Sequence, residues 1–223
     1  MISAFLVDLD GTILDSRKPF LIAHNRALAK NGLPPLPSDE GKAIKILRRP
    51  ASEILPQILG ERCRDPGFVE SFTEDVKEAY VDVYLSHAKL CPSAKETIQR
   101  IKAFGRKVGI VSSRFSFADC IIPVLANFGL DTLVDLVVTS RDVTLSKPSP
   151  EPFLLAARKL NKPVPECVVV GDSPDDILAG KAAGMITVGY TGGFYSMEEL
   201  SGYSPDLLIG DLTKLALLAQ NGF

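Results

Sequence analysis

From residue 93 to the end of the chain, short apolar runs alternate with stretches of helical periodicity, and no other feature narrows the possible folds so far. Residues 107–112 (KVGIVS), 133–139, 167–170, 186–188 and 207–209 read as strands. Between them lie a helix from Ser93 to Gly105 with Ser93 and Glu96 as a capping box, and one from Phe117 to Phe128, kinked or restarted at Pro123. Further helices run from Pro152 to Leu160, from Pro174 to Ala183 with Gly184 closing it, and onward from Asp211. A first apolar run, residues 4–7, stands alone near the amino terminus. Strands separated by helices cannot pair as hairpins, so the pattern specifies an α/β fold with a parallel sheet covered on both faces.

Between the first run and Ser93 the periodicity is helical for about seventy residues. Phe20, Ala23, Ala27 and Leu28 suit one helix stopping near Gly32; Ser38 or Asp39 can cap a second that Pro50 ends. Ser52 with Glu53 starts a short third, and residues 68–85 form a fourth with Val69, Phe72, Val76, Tyr80 and Val83 on its inner side. The expected organisation is a core of residues 1–14 and 90–223 with a helical domain, 15–89, inserted between them.

The first run ends in two aspartates, FLVDLDGTILDS. Alternation along a strand would point Asp8 and Asp10 the same way at the carboxyl end, where ligands bind in open α/β sheets. Gly11 and Thr12 then supply a turn whose N–H groups can approach an anion. Two carboxylates this close repel unless a cation or a shared proton relieves them, so the stretch implies a metal site, a proton-transfer site, or both.

DLDGT after an apolar strand resembles the signature of the haloacid dehalogenase superfamily, and three further motifs follow in that family's order: VSSR at 111–114, the lysine of SKPSPEPF at 146–153, and VVVGDSPDD at 168–176. The resemblance implies a Rossmann-like three-layer core with a small helical cap. It implies that Asp8 attacks phosphorus to form an aspartyl phosphate while Asp10 serves as acid and then base. Lys147 would neutralise the transition state, and Ser112 with the N–H of Ser113, along with Gly11 and Thr12, would hold phosphoryl oxygens. A magnesium ion (Mg2+) would be held by Asp8, Asp172 and the backbone carbonyl of Asp10, with Asp176 behind them holding a metal-bound water or Lys147. Asp175 reads as a solvated charge at a helix start. Arg114 stands where many relatives carry other polar residues, and the resemblance assigns it no role. Lys42, Lys45, Arg48 and Arg49 fall in the second cap helix, with 42, 45 and 49 on one face, and Arg48 or Arg49 is the candidate reader of an acidic leaving group. His24 and His87 read as packing or surface residues.

The position of the cap and the GLPPLP segment favour the phosphoglycolate phosphatase branch: a Mg2+-dependent phosphatase of a small phosphorylated metabolite. A β-phosphoglucomutase-like enzyme would use the same two aspartates, and a catalytically silent binding protein of the same fold would have lost Asp8, Asp10, Lys147 or Asp172. Dehalogenase and phosphonate-cleaving relatives do not need the second aspartate, which argues against both. Two short linkers, near residues 14–17 and 90–92, suit a hinge that closes the cap. With 223 residues, 46% of them hydrophobic, and a net charge of −2, the chain is globular and offers no basic field for nucleic acid or anionic membrane. The amino terminus lacks a basic region and its apolar run is broken by Asp8, so neither signal peptide nor membrane helix fits, and a cytoplasmic location is expected. Cys63, Cys91, Cys120 and Cys167 are too widely spaced for a zinc knuckle or redox pair and read as free buried thiols. Monomer and homodimer fit equally well.

Overall fold

A computed structural model describes residues 1–49, 51–113 and 118–222. Pro50, Arg114, the expected helix start at Phe117 and the Cys120 thiol lie outside the described residues. The chain divides into two compact units, Met1–Asp15 with Lys89–Phe223, and Ser16–Ala88.

The first unit is built on strands β1 (Ala4–Val7), β4 (Lys107–Ser112), β5 (Leu136–Thr139), β6 (Cys167–Gly171), β7 (Ile186–Tyr190) and β8 (Leu207–Ile209), in the order β5-β4-β1-β6-β7-β8. Every pairing among them is parallel. By order along the chain this is 3-2-1-4-5-6, the doubly wound Rossmann arrangement, in which the winding reverses between β1 and β6. The expected α/β class is therefore borne out. Leu6, Val111, Val138 and Val169 face one side, where they pack with Phe153, Ala156 and Ala157 of α7 (Glu151–Lys159) and Ala179 and Ala183 of α8 (Pro174–Ala183). Alternation turns Phe5, Val108, Ile110 and Val168 to the other side, served by α5 (Ala94–Ala103) and α10 (Lys214–Asn221), which pack on each other. Strands apolar on both faces are what a doubly covered parallel sheet requires. Between α5 and α7 the chain carries α6 (Ala118–Asn127), and before β8 it carries α9 (Met197–Ser201).

Where the chain leaves this unit and returns, β2 (Leu14–Asp15) and β3 (Lys89–Leu90) form an antiparallel ribbon that sets the two connections side by side. The second unit has its own core. In α1 (Arg17–Lys30), Ala27 and Leu28 meet Ala43 and Leu47 of α2 (Glu40–Leu47). Leu59 of α3 (Ala51–Leu59) and Phe72 of α4 (Pro66–His87) complete the cluster, with Val69 and Val76 at its margin. Tyr80 and Val83 are buried as the spacing predicts, and so is Tyr84. No helix among the described residues is long and apolar enough to cross a membrane.

Several boundaries differ from expectation. Ser93 adopts φ 60° in the left-handed region and makes no side-chain cap, so the capping box expected with Glu96 does not form. Helix α6 runs through Pro123 without a break. Strand β5 starts at Leu136, because residues before it close a turn in which Leu133 and Val134 donate to the Leu130 carbonyl. Helix α10 starts at Lys214, because Asp211 accepts from the Thr213 N–H ahead of it. Helix α2 ends at Leu47, so Arg48 is its C-cap and Arg49 lies beyond; a residue before proline disfavours the helical region. Arg49 therefore does not share a helical face with Lys42 and Lys45. Of the cysteines, Cys91 and Cys167 are buried free thiols, whereas Cys63 is only partly buried.

Candidate active site

The carboxyl ends of β1 and β6 flank the point where the winding reverses, and each is followed at once by an aspartate. Asp8 stays in the sheet, its N–H donating to the Val170 carbonyl at 2.8 Å. Regular strand stops at Val7, so Asp10 is carried by a turn and not by strand alternation; it is half-buried and bridges to Leu14. That turn closes on itself, with the Gly11 N–H given to the Leu14 carbonyl at 2.7 Å. This corrects the expectation that the Gly11 N–H is turned toward an anion. Gly11 serves by lacking a side chain: at φ +88° a Cβ there would lie 2.2 Å from Asp172 Oδ2.

Lys147 reaches the same place from the loop after β5 and is almost wholly buried. Its ammonium donates to Asp8 Oδ1 and Asp176 Oδ1, each at 2.6 Å, and to the Val111 carbonyl at 3.1 Å, and it lies 5.8 Å from the centre of the Phe153 ring. Asp176 is on the first turn of α8, where its other oxygen accepts from the Ser173 hydroxyl at 2.6 Å within a capping box. Gly171 makes this fold-back possible, since a Cβ there would lie 2.2 Å from Asp176 Cγ. Asp175, the next residue out on the helix, is exposed.

Asp172 is buried and held from two sides. The Phe194 N–H donates to its Oδ2 at 2.6 Å, and the Thr12 hydroxyl reaches its Oδ1 at 3.4 Å. Phe194 and the glycines before it belong to a loop after β7 that the motif reading passed over. The visible signal was TGGF, a glycine pair directly after an apolar strand. Ser112 is buried at the end of β4 and Ser113, just past it, is exposed. Arg48 is half-buried and Arg49 exposed in the helical unit.

Charge dominates this site. Burial pushes the Asp8 carboxyl up to about 7, against the pull of Lys147. Asp172 is raised well above the carboxylate range, first by burial and then by Asp8 and Asp176, with the Phe194 N–H opposing. Burial alone would lower Lys147, but Asp176 and Asp8 outweigh it and hold the ammonium above its ordinary value. Asp8, Asp172 and Asp176 each offer an oxygen within 4.8 Å of the others. Three buried carboxylates around one ammonium leave negative charge that a hard divalent cation would neutralise, and an all-oxygen donor set suits Mg2+. Among the described residues, Asp176 has both oxygens in short bonds, to Lys147 and Ser173, whereas Asp8 has one such bond and Asp172 one, its Oδ1 being met only loosely by Thr12; Asp8 and Asp172 are thus the carboxylates better placed to ligate.

Comparison with known proteins agrees with this geometry. The haloacid dehalogenase-like hydrolase family matches residues 5–190, taking in all four motifs. The chain belongs to that family. Its relatives include a phosphoglycolate phosphatase of Colwellia psychrerythraea, to which the hydrolase is 28% identical over 225 residues, covering 95% of this chain and 94% of the other. Another is the pyrophosphatase PpaX of Bacillus velezensis, 28% identical over 215 residues, with coverages of 96% and 94%. The hydrolase superposes with a TM-score of 0.85 on the crystal structure of a predicted phosphoglycolate phosphatase from Haemophilus somnus, at 24% identity and 98% coverage of both chains.

Proposed function

We propose that this hydrolase is a Mg2+-dependent phosphatase of a small phosphate monoester of the phosphoglycolate kind, acting through an aspartyl phosphate. The observation that carries the proposal is the buried Asp8 carboxylate at the end of the central strand, fixed through one oxygen by Lys147 and facing Asp172. In this reading the other oxygen of Asp8 attacks phosphorus as the bond to the leaving alcohol breaks, and Asp10 gives that alcohol its proton. Asp10 then takes a proton from water, which attacks the phosphoenzyme and releases Asp8 and inorganic phosphate. Lys147 balances the charge that gathers on the phosphoryl oxygens, and Ser112 and the Ser113 N–H bind them. Asp176 keeps the ammonium aimed. Asp8, Asp172 and the Asp10 carbonyl would hold Mg2+, which when bound shields the approaching phosphate from the carboxylates.

Residues 15–89 would serve as the cap, with Arg48 or Arg49 meeting the second anion of an acidic substrate. Replacing both arginines with alanine should raise KM about tenfold or more for phosphorylated acids and leave phosphate monoesters of uncharged alcohols unaffected. An unchanged KM for every acidic substrate would remove the arginines from recognition. A second substrate class, the phosphoanhydride, is favoured by the relative named as a pyrophosphatase. Asp8 could attack either bond, and pyrophosphate therefore belongs in any substrate panel.

A further inference from the structure

Asp172 Oδ2 sits between two residues that have no Cβ and come from different loops. A Cβ on Gly11 would lie 2.2 Å from that oxygen, and a Cβ on Gly193 would also lie 2.2 Å from it and 2.3 Å from the Gly11 carbonyl oxygen. Gly11 needs to be glycine for its left-handed backbone as well. Gly193 has no such need, because its backbone lies outside the left-handed region; what its place demands is space. The next residue donates its backbone N–H into that same oxygen at 2.6 Å. A carboxylate held this way cannot turn about its Cβ–Cγ bond without breaking a short charge-assisted hydrogen bond. Its Oδ1, met among the described residues by the Thr12 hydroxyl at 3.4 Å, is left as the oxygen for a ligand.

We infer that the loop 191–194, carried by β7, sets the affinity for the divalent cation, by clamping Asp172 Oδ2 with the Phe194 N–H in a slot that only glycine at 193 leaves open. Magnesium tolerates little departure from octahedral geometry, so a ligand oxygen fixed in advance gains affinity that a swivelling carboxylate loses. The loop thus positions a metal ligand. The inference rests on the proposed metal site, and its test reads metal binding directly.

Calorimetric titration with Mg2+ compares the wild type with Asp172→Asn, Gly193→Ala and Gly202→Ala; a Cβ at Gly202 would meet nothing closer than 3.5 Å. Gly193→Ala should weaken Mg2+ about tenfold or more, the range typical of groups that orient a metal ligand. Gly202→Ala should bind as the wild type does. Should Gly193→Ala fail to fold, the wild-type protein gives a second reading by NMR: the Phe194 amide resonance should move on adding Mg2+ and on Asp172→Asn. Gly193→Ala binding Mg2+ like the wild type, or a Phe194 amide indifferent to both changes, overturns the inference while the metal site stands. Equal binding by wild type and Asp172→Asn overturns the metal site and the inference with it.

Discussion

Lys147 bonds two carboxylates and lies beside a third that it does not bond, and that imbalance gives the hydrolase a pH signature. Asp8 and Asp172 have carboxyl groups raised by burial, so between about pH 4, the ordinary carboxylate value, and about 7 the folded protein holds more protons than the unfolded chain. Stability of the metal-free protein should therefore fall as pH rises through that window. Lys147, held above its ordinary value, keeps its charge throughout and adds no slope there. Because Mg2+ needs the carboxylates ionised, the stabilisation it confers should grow with pH. Thermal unfolding at pH 5 and pH 8, with and without Mg2+, checks this; an equal Mg2+ effect at both values would contradict it. Removing the ammonium tests the same balance. Lys147→Met should cost about 3–5 kcal/mol near neutral pH without Mg2+, since breaking a buried ion pair leaves charge uncompensated. Chemical denaturation measures it, and a loss below about 1 kcal/mol would mean the carboxylates are neutral already.

At the scale of single elements, the edge of the sheet is held by a carboxylate remote from the site. Asp135, just before β5, pairs with Lys102 and Lys107 and accepts the Val108 N–H at 2.8 Å, tying α5, β4 and β5 together. Burial works to raise its pKa, but these partners prevail and lower it. Asp135→Asn should cost about 1–3 kcal/mol above pH 4, the range for hydrogen bonds to a charged group, and the difference should vanish as pH falls through the lowered value. A cost independent of pH would assign the effect to packing. Helix α4 offers a simpler case: Asp65 caps it by accepting from Gly67 and Phe68, and Asp65→Ala should cost about 1 kcal/mol in thermal or denaturant unfolding.

The elements most legible in the sequence were those whose signals are local. KVGIVS gave β4 at its observed bounds, and Pro174 with Gly184 bracketed α8, because a buried apolar run and helix punctuation act within a few residues. Asp8, Lys147, Asp172 and Asp176 were legible as a set through motif order, and the structure brings them within hydrogen-bonding or ligand range. What failed depended on backbone partners distant in sequence or on competing turns. Ser93 went left-handed, the Gly11 N–H was claimed by Leu14, and α9 and the β2–β3 ribbon were too short to show any periodicity. Phe194 could not be seen as a partner of Asp172 because 22 residues separate them and its contribution is a backbone N–H, which every non-proline residue possesses.

On the scale of the whole molecule, each of the two units has hydrophobic packing of its own among the described residues, against the parallel sheet in one and within Ser16–Ala88 in the other. Damage to one should stay largely within it. Phe72→Ala, which empties the centre of the helical unit, should cost about 3–5 kcal/mol there and speed amide exchange across residues 16–88, with the amides of β1, β4 and β6 keeping their protection. Uniform loss of protection would show one cooperative unit. The core that survives such a change carries Asp8, Lys147 and Asp172, on which the proposed chemistry depends. Phosphate release from phosphorylated acids, sugars, nucleotides and pyrophosphate, measured with and without Mg2+ for wild type and Asp8→Asn, tests that chemistry most directly. The expected result is Mg2+-dependent release, greatest for a small phosphorylated acid, that falls at least about a thousandfold on Asp8→Asn. Release that survives the substitution, or that ignores Mg2+, would contradict it.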